Sequence, residues 1–241
     1  MKTETSKTSS IKKNLFIVVP AYNEEKSITK VLTDLKKHNY KNIIVVDDGS
    51  TDNTYFLAKK QGVIVLKHKI NRGLGGALNT GITAALKLGA DIIVTFDADG
   101  QHSVYDIPKI IKPIINGEAD FVVGSRFLKE PLFAHKKFIV KVRRLGIFTL
   151  NILTYLLYGI KTTDSQSGFR AFSREAASKI KITANRMEVS SEFFREAKKN
   201  NLRYKEVPIR TIYTEYSLKK GQKLSNGFKI MLKLIFRKII D

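Results

Sequence analysis

The sequence contains no cysteine in 241 residues. That excludes disulfide staples, thiolate nucleophiles and cysteine-ligated zinc. Acidic side chains are scarce: 22 Asp and Glu stand against 43 Lys and Arg, a formal charge of +21. Such a surface attracts polyanions, whether nucleic acid, anionic lipid headgroups or phosphorylated substrates. A merely solvated, lysine-rich surface carries the same number. The N-terminus, Met-Lys-Thr-Glu-Thr-Ser-Lys-Thr-Ser-Ser, lacks the apolar core of a signal peptide, and residues 1–13 read as a flexible cytosolic tail. No run reaches the roughly 18–20 clean apolar residues of a membrane-spanning helix. The nearest, Leu145 to Ile160, carries Asn151 and two Thr and is flanked by Lys141, Arg143, Arg144 and Lys161. It reads as a buried core helix or as a helix at a membrane surface. There is no internal repeat or long linker, and the four His show no ligand spacing.

What is present is an alternation. Leu15–Val19 is an apolar, β-branched run ending at Pro20. Asn23-Glu24-Glu25 then opens a helix with an acidic first turn, and Ile28, Val31, Leu32 and Leu35 keep helical spacing. Asn42–Val46 is a second strand, stopped by Asp47-Asp48-Gly49-Ser50. The pattern predicts helices over 54–60, 77–88 and 107–115, the last despite Pro113, and strands over 63–66, 91–96 and 121–123. Strands alternating with helices imply an α/β fold with a mostly parallel sheet flanked by helices. In such sheets ligands sit beyond the carboxyl ends of the strands. The clusters Pro20–Glu25, Asp47–Thr54, Asp97–His102 and Gly124–Arg126 all follow strands, so they should converge on one crevice.

The length suits one domain, read as residues 14–222, with an appended end piece at 223–241. In that piece Lys229, Lys233 and Arg237 recur every fourth residue beside Phe228, Met231, Leu232, Ile235 and Ile239. This is a basic amphipathic pattern, suited to packing on the main domain or to a membrane surface.

Asp97-Ala98-Asp99 is the sharpest local feature. Two carboxylates one residue apart at a strand end can reach one hard cation, and Mg²⁺ or Mn²⁺ often bridges carboxylate to substrate phosphate. A cation there would neutralise charge on a nucleotide-diphosphate leaving group. Gln101 and His102 can add or support ligands. Ser50 or Asp52 can cap the next helix, while an acid such as Asp48 can accept hydrogen bonds from a base or ribose. Asn71-Arg72-Gly73-Leu74-Gly75-Gly76 either turns backbone amides toward phosphate or allows close helix packing. Arg126, Arg143, Arg144 and Arg170 are candidate phosphate clamps. If the acceptor is a hydroxyl, a base is needed, and Asp164, Glu188 or Glu192 are candidates.

Together the segments resemble the family 2 glycosyltransferases with a GT-A fold, and most nearly their dolichyl-phosphate or polyprenyl-phosphate mannose and glucose synthases. The matching pieces are Pro20-Ala21-Tyr22-Asn23-Glu24-Glu25, Asp47-Asp48-Gly49-Ser50, Asn71-Arg72-Gly73, Asp97-Ala98-Asp99-Gly100-Gln101-His102, Gly124-Ser125-Arg126 and Ser167-Gly168-Phe169-Arg170, in the family's order. The resemblance spans about residues 14 to 230. It implies nucleotide contacts at Pro20, Tyr22, Glu24, Val46 and Asp48, and cation binding at Asp97, Asp99 and Gln101 with Ala98 between them. It implies acceptor-phosphate or diphosphate contacts at Arg126 and Arg143, and a basic nucleotide contact at Lys220. The donor implied is GDP-mannose, UDP-glucose or UDP-GlcNAc; the acceptor is a polyprenyl or dolichyl phosphate. Ile147 stands where the family often has Ser, and the family's Arg near Thr214 is missing. Many relatives carry C-terminal transmembrane helices that this sequence lacks. The expectation is therefore a peripheral enzyme on the cytoplasmic face of a membrane, held by anionic lipid or by a membrane partner protein. A nucleic-acid partner is not expected, because it would explain the charge but not the strand-end carboxylates.

Overall fold

The computed structural model describes residues 13–129 and 138–212. The segment 223–241 and nearly all of the 1–13 tail lie outside the described residues.

Seven strands form one sheet: β1 (Leu15–Ala21), β2 (Ile43–Asp47), β3 (Ile64–Lys67), β4 (Ile92–Thr95), β5 (Phe121–Ser125), β6 (Arg170–Ser173) and β7 (Tyr204–Pro208). Their order is β3-β2-β1-β4-β6-β5-β7. All neighbours are parallel except β6, which runs against both β4 and β5. The helices are α1 (Ile28–Lys37), α2 (Thr54–Lys60), α3 (Leu74–Lys87), α4 (Ile107–Ile115), α5 (Phe138–Tyr158), α6 (Arg174–Lys179) and α7 (Val189–Lys199).

Side chains alternate across each strand, so the sheet has two apolar faces. Ile17 and Val19 pack with Ile28, Leu32 and Leu35 of α1 and with Ile107 and Ile110 of α4. Phe16 and Val18 pack with Leu78 and Ile82 of α3 and with Val189, Phe193 and Phe194 of α7. Each fully buried side chain of this size contributes about 1.5–3 kcal/mol, which is why the continuous apolar runs dictate the central strands. Gly81 brings α3 down onto the sheet: a Cβ there would lie 2.3 Å from Val18 Cγ1 and 3.2 Å from Val46 Cγ2.

The mostly parallel α/β sheet and its first nine elements agree with the sequence pattern, and α4 continues through Pro113. Two readings change. The first helix begins at Ile28, with no acid in its first turn. Asn23 instead adopts a left-handed φ of 54°, and the amides of Asn23, Glu24 and Glu25 donate to Ser50, Thr54 and Asp52. The short strands β6 and β7 lacked an apolar run, since one starts on Arg170 and the other alternates with polar residues.

The 145–160 segment is neither a plain core helix nor an ordinary amphipathic one. Over the part of α5 whose side chains are described, Arg144, Asn151 and Thr154 are buried. Leu145, Phe148, Ile152, Tyr155 and Leu156 are exposed, Leu156 to 73%. Polar groups face the protein because they have partners there: Asn151 donates to Thr163 O at 2.8 Å and accepts from Ser165 N at 2.8 Å.

The Gly81 contact yields a prediction. Gly81→Ala should cost about 1–3 kcal/mol, the usual range for overpacking, read by urea denaturation. Adding Val18→Ala should recover part of that loss.

Candidate active site

The carboxyl ends of β1, β2, β4 and β5 lie along one edge, and the reversed β6 brings its amino end to the same edge. Thr95 is level with Arg170 across the β4–β6 pair, and Val123 across β5–β6. Gly168 therefore lands on the carboxylate of Asp97. A Cβ at Gly168 would lie within 2.4 Å of both Asp97 oxygens, so a larger residue would push that carboxylate aside. Thr95 Oγ1 donates to Gly168 O at 2.7 Å and fixes the approach.

Asp97 and Asp99 each have a dedicated neighbour. His102 Nε2 lies 2.9 Å from Asp97 Oδ2, with its ring packed 5.0 Å from Phe169 and 5.5 Å from Phe96. Gln101 serves Asp99 twice, through its main-chain N–H at 3.0 Å and its side-chain amide at 2.5 Å. Gln101, expected as a cation ligand, is placed beside Asp99 and donates to it. Ala98 is buried beneath the pair.

Burial raises the proton affinity of both carboxyls. At Asp97 the hydrogen bond and charge of His102, with the charges of Arg126 and Arg170, outweigh burial and hold its pKa below the ordinary value. Asp99 is pushed up by burial and by the negative charge of Asp97, against the pull of His102 and Gln101. Two carboxylates that repel each other across one point form a donor set suited to a hard divalent cation. Among the described residues no group of three or more His, Cys, Asp or Glu is placed to hold a metal unaided.

Arg126 and Asp164 form the second feature. Asp164 is fully buried and accepts from Arg126 Nε at 2.7 Å, Nη2 at 2.7 Å and the main-chain N at 3.1 Å. The Arg126 side chain stays 21% exposed. Its guanidinium lies 5.3 Å from the Phe127 ring, and that of Arg144 lies 5.1 Å from the same ring. Arg143 is on α5, but its side chain is outside the described residues, as is Lys220.

The other residues singled out in the sequence are placed by what each side chain touches. Arg170 is 1% exposed. It donates to Ser165 O and Ser190 O and stacks 4.7 Å over Phe193, so it is an internal brace rather than a phosphate clamp. Burial lowers its guanidinium pKa to about 10. Val46 and Pro20 are buried, and Val46 packs against α3, so neither side chain lines the crevice. Glu24 is buried and accepts from Ser27 Oγ at 2.9 Å, whereas Tyr22 is exposed. Asp48 is buried and accepts from Arg72 N, Gly73 N and His68 Nδ1, at 2.9, 2.7 and 2.7 Å. The amides of the glycine loop are not turned to a phosphate. Gly75 N donates to Asn185 O at 2.8 Å, and a Cβ on Gly75 would meet Ala184 O at 1.7 Å. Close packing explains those glycines. Glu192 is spent on Thr183, Ala184 and Arg195, so it is no base candidate.

Sequence reasoning had no signal for Phe127, Thr163 or Glu206, whose roles depend on partners distant in the chain.

The split between Asp97 and Asp99 has a measurable consequence. Asp99 takes a proton first as pH falls, so divalent-cation affinity should begin to drop above the ordinary Asp range of about 3.9. Mn²⁺ titration with a nucleoside diphosphate, followed by electron paramagnetic resonance across pH and divided by the profile of Asp99→Asn, reads this with the diphosphate's own titration at about pH 6 removed. A profile flat down to that range would contradict the split. Gly168→Ala should displace the Asp97 carboxylate and weaken Mn²⁺ binding at least about tenfold.

Residues 16–181 match the model of glycosyl transferase family 2. The chain is 53% identical over 242 residues to an uncharacterized protein of Methanocaldococcus jannaschii, covering 99% of this chain and 98% of that one. It is 48% identical over 246 residues to a UDP-N-acetylglucosamine–dolichyl-phosphate N-acetylglucosaminyltransferase of Methanococcus voltae, covering 94% of this chain and 97% of that one. Among solved structures it is similar to glucosyl-3-phosphoglycerate synthase of Mycobacterium tuberculosis in complex with Mn²⁺, UDP and glucosyl-3-phosphoglycerate. The TM-score is 0.70 at 20% identity, covering 93% of this chain and 78% of that one, a likeness of fold. With the ordered motifs and the strand-end carboxylates, these matches make the chain a member of glycosyl transferase family 2, a glycosyltransferase with the GT-A fold.

Proposed function

We propose that this enzyme transfers a sugar from a nucleotide-diphosphate donor to a polyprenyl or dolichyl phosphate at a membrane surface, with inversion at the anomeric carbon. The observation that carries the reading is the Arg126–Asp164 pair. A hydroxyl acceptor needs a base, yet Asp164 is fully buried and both its oxygens accept from Arg126. Glu192 is likewise occupied, and Glu188, the third candidate, is buried at the N-cap of α7. A phosphate acceptor is already anionic at neutral pH and needs no base. What it needs is a fixed cation beside the donor, and Arg126 is close enough for its charge to lower the Asp97 pKa.

The roles follow. Asp97 and Asp99 would hold Mg²⁺ or Mn²⁺, supported by His102 and Gln101, and the cation would supply charge neutralisation for the departing diphosphate. Arg126, with Arg144 on the same Phe127 ring and Arg143 on the same helix as Arg144, receives the acceptor phosphate. One acceptor oxygen attacks the anomeric carbon while the bond to the diphosphate breaks, and the electron pair leaves with the nucleotide. Positioning and charge stabilisation supply most of the acceleration. The base and ribose are assigned to Tyr22, to Glu24 and Asp48, and to the main chain near Pro20 and Val46. Ile212 N donates to Gln101 O at 2.9 Å. Lys220, outside the described residues, is assigned to the nucleotide. UDP-GlcNAc is the preferred donor, supported by the Methanococcus voltae relative; GDP-mannose and UDP-glucose are the rivals.

Membrane seating is assigned to α5. No described helix is long and apolar enough to cross a membrane. A helix that buries Asn151 and Thr154 while exposing Leu145, Phe148, Ile152 and Leu156 is matched to an apolar surrounding on its outer side. The net charge of +21 favours the anionic cytoplasmic leaflet.

The test is a matrix of the three donors against a polyprenyl phosphate in vesicles, with Mg²⁺ or Mn²⁺. UDP-GlcNAc should yield a glycolipid, and Arg126→Ala should lower kcat/KM about 10²–10³-fold. Absence of product from every donor would falsify the reading. Separately, Leu145→Glu with Leu156→Glu should weaken sedimentation with anionic vesicles while leaving donor binding intact.

A further inference from the structure

We propose that Glu206 is a positioning residue that sets the Arg126–Asp164 pair and, through it, the seat of the acceptor phosphate. The inference rests on the assignment of Arg126 to that phosphate. Glu206 lies on β7, level with Val123 of β5, and belongs to none of the motifs that mark the site in the sequence.

Both of its carboxylate oxygens are used on two consecutive threonines. Oε1 accepts from Thr162 Oγ1 at 2.7 Å and Thr163 N at 2.9 Å. Oε2 accepts from Thr163 Oγ1 at 3.0 Å and Thr163 N at 3.1 Å. From there two short paths lead to Arg126. Thr163 Oγ1 lies 2.6 Å from Ser125 Oγ, and that oxygen accepts from Phe127 N at 3.1 Å, so the turn carrying Arg126 is held on both sides. Thr162 Oγ1 accepts from Asp164 N at 3.2 Å, and Asp164 grips the Arg126 guanidinium. Residues 162–164 lie between α5 and β6 outside regular secondary structure, so side-chain partners must define their shape. A carboxylate suits the place because everything it meets is a donor, and an ionised acceptor makes the stronger hydrogen bonds.

A glutamate that merely ties β7 to this loop would affect stability. A positioning residue affects one substrate and not the other. With the donor that proves active and polyprenyl phosphate in vesicles, Glu206→Ala should raise the acceptor KM about tenfold or more, since small misplacements of a clamp are costly. The donor KM and the metal-dependent hydrolysis of donor without acceptor should stay within about twofold, because no contact of Glu206 reaches Asp97 or Asp99. Glu206→Gln should restore part of the acceptor affinity, since its carbonyl still accepts. In an Arg126→Ala background, Glu206→Ala should add nothing further to the acceptor KM.

Loss of thermal stability alone, with both KM values unchanged in the folded enzyme, overturns the proposal. So does an effect that adds fully to that of Arg126→Ala. Should Glu206→Ala fail to fold, Thr163→Val decides: it keeps the carboxylate and cuts the hydroxyl path to Ser125, and an unchanged acceptor KM there overturns the inference. An unchanged acceptor KM in Arg126→Ala overturns the assignment beneath it, and the inference falls too. A raised KM in Arg126→Ala beside a normal one in both Glu206→Ala and Thr163→Val overturns the inference alone.

Discussion

The site depends on the reversed direction of one short strand. Because β6 runs against β4 and β5, its leading residues arrive where those strands end, and Gly168 is pressed against the Asp97 carboxylate. Were β6 parallel, that glycine would lie at the far end of the sheet and Arg170 would not lie beneath the carboxylates. The reversal also brings residues 162–165 beside the end of β5, where Asp164 meets Arg126. The Asp97–Asp99 pair and the Arg126–Asp164 pair thereby share one edge, and the charge of Arg126 joins the larger pull of His102 in lowering the proton affinity of Asp97.

Much of the buried acid in this chain organises backbone. Asp48 gathers two amides of the glycine loop, Glu192 gathers those of residues 183 and 184, and Asp106 takes Arg210 N and Lys109. Each satisfies donors that no helix or strand provides for, and a carboxylate makes the strongest such acceptor. In a chain so rich in base, these few acids are used where loops must hold one shape. The pair Asp97 and Asp99 differs: their neighbours steady them, but their mutual repulsion is left in place.

The central part of the fold was legible because its strands are buried on both faces and read as unbroken apolar runs, and because Ile28, Val31, Leu32 and Leu35 repeat at helical spacing. Asp97 and Asp99 stood out in the sequence because they follow a strand amid other polar clusters that also follow strands. β6 and β7 did not, since four or five residues with polar members carry no period. The work of Arg170, Glu192 and Glu206 was hidden because it depends on partners far along the chain; Glu206 meets Thr163 across 43 residues. The glycines at 73 and 75 stayed open between a phosphate cradle and close helix packing because the sequence cannot show that the carbonyls of Ala184 and Asn185 occupy that space.

Helix α5 is bolted to the loop that carries Asp164, since Asn151 holds both Thr163 and Ser165. On the proposed seating, this makes the helix a depth gauge. Drawing a polyprenyl chain out of the bilayer would cost about 0.8 kcal/mol for each CH₂ exposed, a prohibitive sum for a long lipid. A gauge of fixed height avoids extraction altogether: the tail stays in the bilayer, and the enzyme rides at the level where the headgroup already lies.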